Sequence, residues 1–219
     1  MSVTNVFIII LGIILLFGLL HYEKKKDRIP LLITKSVLSL VFVITALLQP
    51  PSIPAYYHYL LIGLIFCLMG DVCLALPQKK AFMGGLVAFL VGHVFYIFSF
   101  LSLIAIYHWI STGLVIILGM SAIVFFWLRP HLKSMLIPVL LYILVITVMV
   151  SGAWGVFWKS PFQISGRVFI LLGSLCFYFS DVFVARNKFI KEEYRNRLLG
   201  LPLYYTGQFL LAFSVGLLK

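Results

Sequence analysis

Apolar runs of about 18–24 residues fill most of this chain, and only short connections separate them. As a helix rising 1.5 Å per residue, each run is long enough to cross a hydrocarbon layer of about 30 Å. The chain is 63% hydrophobic and 11% charged, with a mean hydropathy of +1.14. A soluble domain of 219 residues could not bury that much apolar surface, so the class is an integral membrane protein. Inside a bilayer every backbone polar group must be satisfied within the protein. Continuous apolar runs then indicate helices, because the strands of a barrel would alternate polar and apolar residues. The sequence predicts an all-α polytopic fold of about eight transmembrane helices in one membrane domain over residues 1–219. The spans fall at roughly 3–20, 31–48, 57–76, 82–106, 111–128, 134–156, 167–186 and 198–218. The first run lacks a basic leader and a small-residue cleavage site, so it reads as a retained helix.

The formal charge of +11 would suggest nucleic acid in a soluble protein. Here the basic residues alternate between connections instead. Lys24, Lys25, Lys26 and Arg28 lie in the first, Lys79 and Lys80 in the third, and Arg129 and Lys133 in the fifth. Arg186, Lys188, Lys191, Arg195 and Arg197 lie in the seventh, whereas the sixth has only Lys159 and Arg167. The second and fourth carry none. By the positive-inside rule the odd connections are cytoplasmic and both termini lie outside, as in a bacterial inner membrane. Tyr56, Tyr57, Tyr59, Trp109, Trp154 and Trp158 are then expected in an outer aromatic belt. No basic face tracks a phosphate backbone, so no nucleic acid partner is expected; the partner is the lipid bilayer.

One stretch occurs twice. Residues 63–75 read GLIFCLMGDVCLA and residues 173–185 read GSLCFYFSDVFVA. Gly63, Asp71, Val72 and Ala75 match Gly173, Asp181, Val182 and Ala185 without a gap. The correspondence extends outward: VFVIT of span two returns as ILVIT in span six, and Gly92-His93 of span four as Gly207-Gln208 of span eight. This predicts a four-plus-four duplication with halves at about 1–106 and 111–219. An even number of spans per half makes it a parallel repeat, whose sites lie where the halves meet.

An ionisable group within an apolar span costs about 2.5–3.5 kcal/mol on insertion scales, which makes it a functional candidate. Asp71, Asp181, Lys35, His93 and Gln208, with the phenols Tyr96, Tyr204 and Tyr205, form most of the interior polar inventory. They are expected to converge on a cavity open toward the cytoplasm. Simpler readings stand beside this one. The aspartates could pair with Lys35, Lys35 could snorkel, His93 could be an ordinary interior histidine, and Gln208 and the tyrosines could join helices. Cys67, Cys73 and Cys176 lie in apolar runs without zinc-type spacing. No H-E-x-x-H or G-x-S-x-G motif occurs, so no metal and no cofactor are expected. What remains is a carboxylate pair with basic helpers, equipment for acid/base chemistry.

Four segments together carry a family resemblance: GLIFCLMGDVCLAL, FMGGLVAFLVGHVFYIFSF, LLGSLCFYFSDVFVARNKF and LPLYYTGQFLLAFS. In this order they resemble the YhhN family of integral-membrane lysoplasmalogenases. Where the family commonly has Lys-Pro in span two, this chain has Lys35-Ser36. The resemblance implies hydrolysis of the vinyl-ether bond of a lysoplasmalogen to a fatty aldehyde and glycerophosphocholine or glycerophosphoethanolamine. Protonation on carbon gives an oxocarbenium ion that water captures, a charge development like that of glycoside hydrolysis. On this reading one of Asp71 and Asp181 is the proton donor at neutral pH. The other stays ionised, and His93 tunes the pair. Lys35 holds the phosphate, while Tyr96, Tyr204, Tyr205 and Gln208 line the cavity. A parallel repeat with acids at depth also describes a proton- or cation-coupled small-solute transporter, the alternative reading.

Overall fold

Long apolar runs with no internal partner for their backbone except themselves become helices, and the computed structural model is all-helical. It describes residues 2–110 and 112–219, apart from the side chains of Lys79 and Thr112. The order is α1 (Val3–Lys25), α2 (Arg28–Leu48), α3 (Pro54–Ala75), α4 (Lys79–Leu101), α5 (Thr112–Leu132), α6 (Leu136–Lys159), α7 (Ile164–Ala185) and α8 (Tyr194–Ser214). No strand occurs among the described residues. Helix α1 starts where the Ser2 side chain accepts from Asn5 N at 3.2 Å, and it stops where Lys26 turns left-handed at φ 57°. Pro54 opens α3, a position where its missing N–H costs nothing. Helix α2 runs unbroken through Lys35-Ser36.

Six helical stretches are long and apolar enough to cross a membrane, which makes this a multi-pass membrane protein. One of them, Gly113–Lys159, is 47 residues long and covers both α5 and α6. As a single rod it would be about 70 Å long, more than twice the hydrocarbon thickness. The chain breaks it with a 3-10 turn at Lys133–Met135 and a left-handed Lys133 at φ 45°. Helix α8 is outside the six because Arg195, Asn196, Arg197 and Gln208 dilute its apolar character. Several expected boundaries moved by up to five residues, and α1 runs on to Lys25 rather than ending at 20. Helix α4 ends at Leu101 rather than 106, and a 3-10 turn at Ile106–Trp109 follows. Residue 111, the expected start of span five, lies outside the described residues.

The packing pattern recurs. Helix α1 lies on α2 as α5 lies on α6; α2 packs on α3 as α6 packs on α7. Helix α2 also reaches α8, and α6 reaches α4. The most extensively packed pairs, α3 with α4 and α7 with α8, approach each other through matching glycines. A Cβ added at Gly92 would stand 3.1 Å from Gly63 O, and one at Gly207 would stand 2.8 Å from Gly173 O. Seven residues earlier on α4 and α8, Gly85 faces Gly70 O at 3.2 Å and Gly200 faces Ser180 O at 3.7 Å. Small residues allow this because backbones must nearly touch when lipid gives no hydrophobic drive to join helices. Thr45 and Thr147 also match: each hydroxyl donates to the carbonyl four residues back, at 2.7 and 2.6 Å.

Two members of the expected aromatic belt lie inside the protein instead. Tyr56 is buried, its hydroxyl 2.5 Å from Ser214 Oγ, and Trp109 packs its ring over Gly152. Both bury large rings between helices. Tyr59 and Trp158 are exposed, as a belt requires.

Candidate active site

The site begins with helical spacing on α2. Lys35 and Ser39 are four residues apart, so both point to the same side. Across from them α3 presents Asp71, placed by the close approach of Gly70 to Phe89 of α4. Helix α8 presents Tyr204 and Tyr205. Asp71 is buried, and its two oxygens divide the surrounding donors. One lies 3.1 Å from Lys35 Nζ. The other accepts from Ser39 Oγ at 2.6 Å and from Tyr204 Oη at 2.6 Å. A carboxylate so far from water requires this much pairing.

A chain of hydrogen bonds stands behind Tyr204. Tyr96 Oη donates to Gln208 Oε1 at 2.7 Å, and Gln208 Nε2 donates to Tyr204 Oη at 3.2 Å. Tyr204 in turn donates to Asp71, so one amide fixes the direction of every proton in the series. Tyr205 Oη lies 3.3 Å from Ser39 Oγ and 3.4 Å from Lys35 O.

Asp181 is held differently. Tyr142 of α6 donates to its Oδ2 at 2.7 Å. His93 Nε2 lies 4.0 Å away, beyond hydrogen-bond reach. Neither His93 nitrogen has a hydrogen-bond partner among the described residues. The imidazole is instead walled by aromatic rings set steeply to it, with centroids at 4.5 Å for Phe177, 5.3 Å for Tyr142 and 6.3 Å for Tyr96. The Asp181 side chain is 19% exposed against 2% for Asp71. Asp181 is therefore the more accessible carboxyl group.

Both carboxyl groups line one cavity, which with the open solvent at its mouth spans about 1050 Å³ of empty space. Lys35, Tyr142 and Tyr204 share its wall. Otherwise the wall is mostly apolar, with Leu86, Phe89, Leu128 and Ile143 among its residues. Four of the sequence-predicted site residues thus meet there: Asp71, Asp181, Lys35 and Tyr204. Tyr96, Tyr205, Gln208 and His93 do not line it; they form the buried layer behind. Lys35, expected to hold phosphate, has its ammonium engaged by Asp71. Sequence reasoning missed Ser39 and Tyr142. Each had a signal: Ser39 follows Lys35 by one turn, and Tyr142 is a lone phenol directly before the repeated ILVIT.

A pair of acids, one tied to an ammonium and one to a phenol, at the end of an apolar hollow, is equipped to move protons on an amphiphile. The sequence model of the YhhN family matches residues 31–215. The chain belongs to that family. Curated relatives include lysoplasmalogenase TMEM86B of Rattus norvegicus, 30% identical over 162 residues, which cover 72% of this chain and 62% of that protein. TMEM86B of Mus musculus is 31% identical, covering 71% and 63%, and lysoplasmalogenase TMEM86A of Homo sapiens is 29% identical, covering 70% and 63%. The matches span less than two thirds of the length of these curated relatives. No solved structure matches this YhhN chain.

Proposed function

We propose that this YhhN protein is a lysoplasmalogenase, hydrolysing the vinyl-ether bond of a lysoplasmalogen to a fatty aldehyde and a glycerophosphodiester such as glycerophosphocholine or glycerophosphoethanolamine. The observation that carries the reading is the apolar cavity with Asp71 and Asp181 on its wall. Membership of the family and its similarity to lysoplasmalogenases support the same substrate class. Asp181 is the proton donor. It is the more accessible acid, with no ammonium beside it. Asp71 is the ionised member, because an ammonium at 3.1 Å favours the carboxylate.

Asp181 gives its proton to the outer vinyl carbon, and the ether oxygen takes up the positive charge as an oxocarbenium ion. The negative carboxylates stabilise it. Water adds to the carbon bonded to oxygen and loses its proton to a carboxylate. The resulting hemiacetal collapses: its hydroxyl proton leaves, the carbon–oxygen bond to glycerol breaks, and the glycerol oxygen is protonated. One water is consumed and the acids return to their starting states. Tyr142 orients Asp181, and the Tyr96–Gln208–Tyr204 chain orients Asp71. His93 supports Asp181 from the buried side.

Around this site we read eight membrane spans in a parallel four-plus-four repeat, supported by the recurring glycine contacts and helix pairings. The cavity mouth faces the basic, cytoplasmic connections. Purified protein in detergent should release aldehyde from a lysoplasmalogen and none from the saturated alkyl analogue. Asp181→Asn and Asp71→Asn should each lower turnover by at least about 100-fold, the scale of general acid/base assistance. Near-normal turnover in both variants refutes the mechanism. Proton-coupled solute uptake into liposomes without aldehyde release would indicate a transporter instead.

A further inference from the structure

Beside the cavity lies a second hollow of different character. The two share Leu74, Phe82, Val184 and Arg197 in their walls. The smaller is lined with Gln78, Asn187, Lys188 and Arg197, where the larger is lined mainly with leucine, isoleucine, valine and phenylalanine. We propose that this second hollow binds the phosphate of the lysophospholipid, with Arg197 and Lys188 as its two cations. The proposal rests on the lysoplasmalogenase reading of the cavity and takes the phosphate role away from Lys35.

Five basic residues occupy 186–197, but they are not equally available. Arg186 is committed to Asn196 Oδ1 and to Glu193, at 3.1 Å from the latter, and Lys191 lies 2.5 Å from Glu193. Arg197 meets an acid at Glu23, Nε to Oε1 at 3.8 Å, and its guanidinium makes no hydrogen bond among the described residues. That leaves its planar fork to suit phosphate oxygens. Lys188 Nζ sits 4.3 Å from the centroid of the Phe82 ring, a cation held over an aromatic face on the wall common to both hollows. Asn187 accepts through Oδ1 from Glu193 N and from Asn196 Nδ2, both at 3.1 Å, which directs its own amide donors elsewhere.

The spacing fits the lipid. Tyr204, whose hydroxyl is on Asp71, follows Arg197 by seven residues on α8, a rise of about 10 Å. In a lysoplasmalogen the vinyl carbons are separated from phosphorus by the ether oxygen, the three glycerol carbons and one ester oxygen. That path measures roughly 8 Å when extended, from single bonds of about 1.5 Å. A phosphate on Arg197 therefore puts the vinyl ether level with the carboxylates and the hydrocarbon chain in the apolar hollow. Lys35 cannot do this, because its ammonium is 3.1 Å from Asp71, at the carboxylates themselves.

The test measures binding of ligands that the enzyme cannot cleave. A C16 alkyl-ether lysophosphocholine is compared with the same alkylglycerol without phosphate, by calorimetry on full-length protein in neutral detergent. Wild type should bind the phosphate-bearing lipid at least about 10-fold more tightly, consistent with a charge-assisted fork contact. Arg197→Gln with Lys188→Gln should erase that preference while leaving alkylglycerol affinity and melting temperature unchanged. Glu23→Gln, which releases Arg197, should enlarge the preference. Equal affinity of wild type for both lipids, or a double variant that keeps the preference, overturns the proposal. Inorganic phosphate should compete with the lysophosphocholine in wild type and not in the double variant; competition that survives in the double variant also overturns it. Failure of aldehyde release with an intact Arg197-dependent preference would sink the hydrolase reading and leave the phosphate site standing.

Discussion

Truncating Lys35 to methionine leaves the Asp71 carboxylate buried with two hydroxyl donors and no cation. Truncating Asp71 to leucine leaves a buried ammonium and strips the acceptor from Ser39 and Tyr204. The pair lies 3.1 Å apart with side chains 5% and 2% exposed, so solvent screening is slight. At an effective dielectric of about 20, charges at that distance attract by about 5 kcal/mol. Removing one member of such a pair costs about 3–5 kcal/mol, mostly the penalty of stranding the other. Asp71→Leu should be the worse of the two, by about 1 kcal/mol for each hydroxyl left without its acceptor. For a chain of this length 1 kcal/mol corresponds to roughly 2–4 °C, so each single variant should melt about 10 °C lower. The double variant Lys35→Met/Asp71→Leu strands no charge and should recover to within about 5 °C of wild type, a coupling of at least about 2 kcal/mol. It should nevertheless be inactive. The assay is a detergent melting curve followed by size-exclusion chromatography, with aldehyde release measured in parallel. Additive losses, with the double variant below both singles, would show that the two charges do not meet in the folded protein.

Three further outcomes follow from the helix packing and from the surroundings of Asp181. Gly207→Ala pushes a methyl group to 2.8 Å from the Gly173 carbonyl, so α7 and α8 must separate, and melting should fall by several degrees; Gly119→Ala meets nothing within 4 Å and should be neutral or slightly stabilising, because alanine favours a helix by about 1 kcal/mol over glycine. Tyr142→Phe deletes the hydrogen bond to Asp181 while keeping the ring against His93; kcat should drop about 10–100-fold with KM little changed, and a larger effect on KM than on kcat would contradict an orienting role.

Much of the site was legible because membranes make polar residues conspicuous. In an apolar run each carboxylate, ammonium or amide stands out, so Asp71, Asp181, Lys35 and Gln208 could be singled out without coordinates. Phenols and hydroxyls are cheaper to bury and therefore quieter, which is why Tyr142 and Ser39 were passed over. The layering was also invisible. Nothing in linear spacing separates Tyr204 on the cavity wall from Tyr96 and Gln208 behind it. That distinction depends on which side of α8 meets α2 and which meets α4.

The amino-acid order alone determined the helical class, because apolar runs of membrane length leave the backbone no other way to satisfy its hydrogen bonds. It also determined the doubled Gly and Asp pattern, since both copies can be read directly. Only the tertiary structure decided that Asp71 takes the ammonium and Asp181 the phenol. The two acids hold the same place in the doubled sequence pattern, but Asp71 draws its partners from α2 and α8 and Asp181 from α6, whose side chains differ where they face the acids. Helix packing through the glycine contacts brings those unequal partners within reach, so the two acids end in different hydrogen-bond and ion-pair surroundings.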